Sequence, residues 1–151
     1  MERFGQLRRK VETIQNNLQK EKRGMRNKLK CPWPYFGGKS SVASIIWQRI
    51  GDVNNIIEPF CGSAAFLLAR QTKPKVETIN DIDHMVANFW RSTKEDPERV
   101  AEYADGPVNE TELHARHHWL VLSEEAKIFR KKMSEDPFYF DPMIAGWWCW
   151  G

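Results

Sequence analysis

Ile56-Ile57-Glu58-Pro59-Phe60-Cys61-Gly62-Ser63-Ala64 carries the pattern from which the fold class follows. Ile56 to Phe60 reads as a short buried strand, because β-branched and aromatic residues fill it and a turn signal bounds it. Cys61-Gly62-Ser63 is a turn of small residues. Ala64-Ala65-Phe66-Leu67-Leu68-Ala69 then reads as a helix, broken at Lys73-Pro74-Lys75. A second strand follows at Val76-Glu77-Thr78-Ile79-Asn80 and ends at Asp81-Ile82-Asp83. Strand, helix and strand in close succession imply a parallel sheet with a right-handed crossover. The fold class is therefore α/β. Two strands do not make a stable open sheet, so an incomplete sheet is expected.

Upstream, Cys31-Pro32-Trp33-Pro34-Tyr35-Phe36-Gly37-Gly38 reads as a loop. A helix should begin near Ser40 or Ser41, bury Val42, Ile45, Ile46, Trp47 and Ile50, and end at Gly51. Farther back, Leu7, Val11, Ile14, Leu18 and Met25 recur at helical spacing. Downstream, Asp83 can cap a helix from His84 to Arg91, and Asp96-Pro97 starts another. Asn109 with Glu112 resembles a capping box for a helix to about Leu122. Ser123 caps the next, Glu124 to Met133. There is no internal repeat.

The chain has 151 residues, 41% of them hydrophobic and 28% charged. That suits one packed domain. No apolar run approaches the roughly 20 residues of a membrane span. Cys31, Cys61 and Cys149 are scattered, which argues against a disulfide framework or a zinc site and for a reducing cytoplasm. Charge is uneven. Residues 1–30 hold ten Lys and Arg against three Glu, whereas the remainder holds thirteen against seventeen acidic residues. A basic arm on a mildly acidic body suggests a polyanionic partner, though a solvated helix has the same composition.

In an open α/β sheet, ligands bind beyond the carboxyl ends of the strands. Gly62 lets backbone approach a ligand after the first strand. Asp81, after the second, is placed to accept hydrogen bonds from ribose hydroxyls. Gly38-Lys39-Ser40 matches the end of a phosphate-binding P-loop, but that motif needs a glycine where Trp33 stands. The P-loop reading fails.

Three ordered segments resemble the D12-class, Dam-like adenine-N6 DNA methyltransferases. Pro34-Tyr35-Phe36-Gly37-Gly38-Lys39 resembles their opening Y-x-G-G-K motif. Ile57-Glu58-Pro59-Phe60-Cys61-Gly62-Ser63-Ala64 resembles their E-P-F-x-G-x-G loop, with Ala64 replacing the second glycine. Asn80-Asp81-Ile82-Asp83 resembles their N-D-I-N motif. The resemblance implies a Rossmann-like S-adenosylmethionine-dependent methyltransferase fold, incomplete here and carrying a helical insertion. It implies S-adenosylmethionine as cofactor and double-stranded DNA as partner, in a bacterial or phage-infected cell, for a restriction companion or a phage methylase. The implied cofactor-binding residues are Tyr35, Gly37, Gly38, Lys39, Glu58, Pro59, Phe60, Gly62, Asp81 and Ile82. Tyr35 and Lys39 would border the cofactor and target-base pocket. Phe60 and Gly62 would line the methionine and ribose, Asp81 would hold the ribose hydroxyls, and Ile82 would pack on the adenine. Ala64 should reduce room without abolishing binding. The implied organisation is a basic arm at 1–30, a cofactor-binding portion at 31–92 and a helical region at 93–151 that opens the target-recognition segment. A monomer is expected.

Family members activate the adenine amino group with a D-P-P-Y motif, acting on a flipped base. This chain has none. Its catalytic residues are thus unknown. Asp136-Pro137-Phe138-Tyr139 is a near miss, and Asp136, Pro137 and Tyr139 sit where a loop is the better reading. The aromatic run Trp147-Trp148-Cys149-Trp150 is expected to pack against a further part of the protein, as if the chain were truncated. His114, His117 and His118 share a helix but lack further ligands, and no metal is expected. Two alternatives stay open: a non-catalytic DNA-binding protein derived from a methyltransferase, and an RNA or protein methyltransferase.

Overall fold

A computed structural model describes residues 29–72 and 75–151. The expected N-terminal helix through Leu7 to Met25 lies outside the described residues. The elements run as a 3-10 turn (Lys39–Ser41), α1 (Ala43–Ile50), β1 (Asn55–Glu58), α2 (Ala65–Leu68), β2 (Val76–Ile79), α3 (His84–Glu95), α4 (Pro97–Ala104), α5 (Glu110–Leu122), α6 (Glu124–Glu135) and α7 (Pro142–Trp150).

β1 and β2 pair in parallel, from Asn55 opposite Val76 to Glu58 opposite Ile79. β1 ends at Glu58, whose carbonyl accepts the Asn80 N–H at 2.9 Å, and the Cys61 N–H then reaches the Asn80 carbonyl at 2.9 Å. Its alternation is visible in burial, since Ile56 and Glu58 point into the protein and Asn55 and Ile57 point out. Ala43 of α1 and Phe66 of α2 close over Ile56, joined by Ile46, Trp47 and Leu67. Trp47 stacks on Phe66 with ring centroids 4.4 Å apart and donates its indole N–H to the Phe66 carbonyl at 2.7 Å.

Among the described residues the helices cover that one face, and two expectations change as a result. β1 is not buried on both sides, for Ile57 is 65% exposed and every residue of β2 is exposed. Of the expected buried face of α1, Ile46 and Trp47 pack inward while Val42, Ile45 and Ile50 remain exposed. The helix also starts later than expected, because Lys39 to Ser41 form a tighter turn first. Among the described residues the architecture is a two-stranded parallel sheet beside a larger helical layer.

That layer is set by local capping. Asp83, Asp96, Asn109 and Ser123 each accept a hydrogen bond from a backbone N–H in the first turn of α3, α4, α5 and α6. Each bond satisfies one of the orphan donors that a helix start leaves. The capping box is only half formed, since Glu112 turns to Arg116 at 3.3 Å instead. α3 runs on to Glu95, one turn beyond the expected end, until Asp96 is used to cap α4.

The terminal aromatic run lies on α7, which folds back across α3 and α4 and leaves its tryptophans half-buried. Trp148 meets Trp33 edge-on at 4.7 Å, and Trp147 meets Trp119 at 5.5 Å. The Trp150 indole donates to the Gly106 carbonyl at 3.1 Å, and the Arg116 guanidinium lies over both Trp147 and Trp150. Gly146 permits this approach, because a Cβ there would sit 2.5 Å from the Cβ of Tyr103. Asn88, fully buried on α3, exchanges two hydrogen bonds with the Asp141 backbone and anchors the start of α7.

Candidate functional site

The site forms where β1 and β2 end side by side. Past β1 the chain turns at Gly62, whose φ of +49° is ordinary for glycine and costly for other residues. Past β2 comes Asp81. Its Oδ2 accepts the Gly62 N–H at 2.8 Å and its Oδ1 accepts the Asp83 N–H at 3.1 Å. The same carboxylate thus ties the two strand ends together and shapes the entry to α3. An ionised carboxylate offers about four acceptor positions, so two remain for a ligand.

A third segment closes the site. The loop before the 3-10 turn is held by a bond from Gly38 N–H to the Tyr35 carbonyl at 2.9 Å. It lays the Tyr35 ring on Gly62, where a Cβ would come within 2.7 Å of Tyr35 Cδ1. Lys39 then reaches across. Its Nζ donates to the Phe60 carbonyl at 2.5 Å and lies 3.0 Å from Glu58 Oε1. Glu58 is 3% exposed, and the Lys39 ammonium at ion-pair distance is its main compensation, with the Leu67 backbone beside it. Burial pushes the Glu58 carboxyl above its ordinary value, against the pull of Lys39.

These segments enclose a cavity of roughly 330 Å³, lined by Tyr35, Phe36, Gly37, Gly38, Lys39, Phe60, Cys61, Gly62, Ser63, Ala65 and Asp81. Its volume falls within the range of about 300–1,000 Å³ usual for small-molecule sites. Burial, and then the negative field of Asp81 and Asp83, pushes the Tyr35 phenol up, so it remains a neutral donor. The Cys61 thiol is pushed up to about 11 by burial, then by Asp81 and Glu58, and does not act as a thiolate near neutral pH.

Seven of the residues singled out from sequence meet on this cavity: Tyr35, Gly37, Gly38, Lys39, Phe60, Gly62 and Asp81. Three do not line it. Glu58 lies beneath, against Lys39. The Pro59 carbonyl accepts from Asn80 Nδ2 at 3.0 Å. Ile82 is 90% exposed and outside the wall. Phe36, Cys61 and Ser63, which stand inside the quoted motifs, and Ala65, one residue beyond the second, line the cavity as well.

Ala64, the departure from the glycine pattern, takes the left-handed conformation at φ 52° and ψ 28°. The backbone there keeps the shape a glycine would adopt freely, at a cost of about 1–2 kcal/mol for alanine.

The near-miss segment is elsewhere. Asp136 is the C-cap of α6, and its carboxylate accepts the Phe138 N–H at 2.8 Å. Pro137 is exposed in the turn that follows. Tyr139 packs into the helical core beside Phe129. None of the three lines the cavity. His114, His117 and His118 all face solvent on α5. No helix among the described residues is long and apolar enough to cross a membrane.

The family model for the D12 class N6 adenine-specific DNA methyltransferases matches residues 35–136, which spans the cavity and the first helices of the helical layer. No curated protein and no solved structure matches the chain.

Proposed function

We propose that this chain, which belongs to the D12 class N6 adenine-specific DNA methyltransferases, binds S-adenosylmethionine in the cavity at the carboxyl ends of β1 and β2. The observation that carries the reading is Asp81. Its carboxylate holds the glycine turn by one oxygen and the start of α3 by the other, and still has acceptor capacity facing the cavity. Two adjacent ribose hydroxyls are the natural donors for it.

The other residues fit the same ligand. Asp81, Asp83 and Glu58 outweigh Lys39, which favours the sulfonium and ammonium charges of the cofactor. The open ring of Phe60 supplies apolar cover for the methionine portion. Ile82, exposed beside Asp81, is available for the adenine ring. When bound, the cofactor supplies an electrophilic methyl group for the adenine amino nitrogen of double-stranded DNA. Residues 1–151 contain no D-P-P-Y to activate that nitrogen, so these residues bind the cofactor without completing transfer by themselves.

Calorimetric titration of S-adenosylmethionine into the chain, beside Asp81→Ala, tests the reading. Binding that is lost in the variant supports it. A folded wild-type chain that takes up no cofactor, yet binds DNA with a steep salt dependence, would favour a non-catalytic DNA-binding protein instead.

A further inference from the structure

We infer that Trp90 is a positioning residue for the cofactor loop, although it lies outside the three motifs and does not line the cavity. Its indole N–H donates to the Gly62 carbonyl at 2.8 Å, and the Gly62 N–H donates to Asp81 Oδ2 at the same distance. Two successive peptide groups are therefore pinned, one on each side of the Gly62 Cα. Glycine is the residue with most freedom to rotate about that atom. Rotation of either peptide would exchange N–H and C=O groups on the cavity wall. Trp90 and Asp81 together remove that freedom.

The indole is itself held in place. Phe89 meets it edge-on at 5.1 Å, and Trp33 lies 6.0 Å away. Trp33 in turn meets Phe89 at 4.5 Å and Trp148 at 4.7 Å, both edge-on. These rings come from the loop before Tyr35, from α3 and from α7. The helical layer thus reaches the glycine turn through one indole N–H. The Tyr35 ring lies against the Gly62 Cα where a Cβ would stand, so the turn is held by a ring contact as well as by the two hydrogen bonds.

The inference rests on the cofactor reading for its consequence and on hydrogen bonding alone for its mechanism. Trp90→Phe in the full chain keeps an aromatic ring and removes the donor. Amide hydrogen exchange is read at Gly62 without ligand, and S-adenosylmethionine is titrated separately. Phe129→Leu, in the other part of the helical core, serves as a control for general loss of stability. Trp90→Phe should speed Gly62 exchange several-fold and weaken cofactor affinity between about two- and tenfold, the range for one hydrogen bond. Phe129→Leu should lower Tm while leaving Gly62 exchange and affinity within about twofold. Unchanged exchange in Trp90→Phe overturns the inference, as does equal weakening in Phe129→Leu. If the wild type takes up no cofactor, the functional reading fails, and the Gly62 exchange rate still decides whether Trp90 fixes the turn.

Discussion

Gly62 donates its backbone N–H to Asp81 Oδ2 at 2.8 Å, nineteen residues away, and this bond joins the ends of two neighbouring parallel strands. One carboxylate therefore has a structural duty and a proposed ligand duty. Asp81→Asn keeps the shape but leaves one oxygen for two backbone donors. Stability should fall by about 1–2 kcal/mol in urea unfolding, and cofactor affinity should fall at least tenfold in the same titration. Unchanged affinity with reduced stability would leave Asp81 a structural residue only.

Glu58 carries a pH dependence whose direction is fixed by its burial. Its carboxyl stands above the ordinary value of 4.5 in the folded chain. Between those two values the folded state binds more protons than the unfolded state, so stability falls as pH rises through the window. Glu58→Gln removes this contribution. Unfolding free energies at several pH values from 4.5 to neutrality should shift progressively in favour of the variant as pH rises. A difference that stays flat across that range would mean that Lys39 fully compensates the buried charge.

Ala64 occupies a left-handed position with its methyl group buried. Ala64→Gly relieves backbone strain of about 1–2 kcal/mol but loses a buried methyl worth about 0.8 kcal/mol and adds chain entropy of about 0.5–1 kcal/mol. The net change should stay within about 1 kcal/mol. Ala64→Val places a β-branched residue where such residues are rarely tolerated, and should cost about 2 kcal/mol or more. Equal stability of the valine variant in thermal unfolding would show that the turn can leave the left-handed region.

Asn88 holds α3 to the start of α7 by two hydrogen bonds with Asp141 while fully buried. Asn88→Ala leaves the Asp141 N–H and carbonyl without those partners, and should destabilise the chain by about 2–3 kcal/mol in chemical denaturation. A loss below about 0.5 kcal/mol would mean that water replaces both bonds.

Elements whose causes are local were legible in the amino-acid order. Asp83, Asp96, Asn109 and Ser123 cap helices because each reaches a donor only two or three residues on. The strand ends, the turn at Gly62 and the acid at Asp81 were legible because β-branched runs, small residues and breakers act within a few positions. Seven residues of the cavity followed from those three short segments.

The rest depends on long-range packing. Which side of α1 and β1 is buried depends on what docks there, and among the described residues the helices cover the Ile56 face. The terminal tryptophans find partners on α5 and on the loop around Trp33, which no local pattern encodes. Lys39 reaches Phe60 across twenty-one residues, and Trp90 reaches Gly62 across twenty-eight. An indole N–H or an ammonium says only that it needs an acceptor. Its partner is chosen by the packing that brings distant backbone within 3 Å.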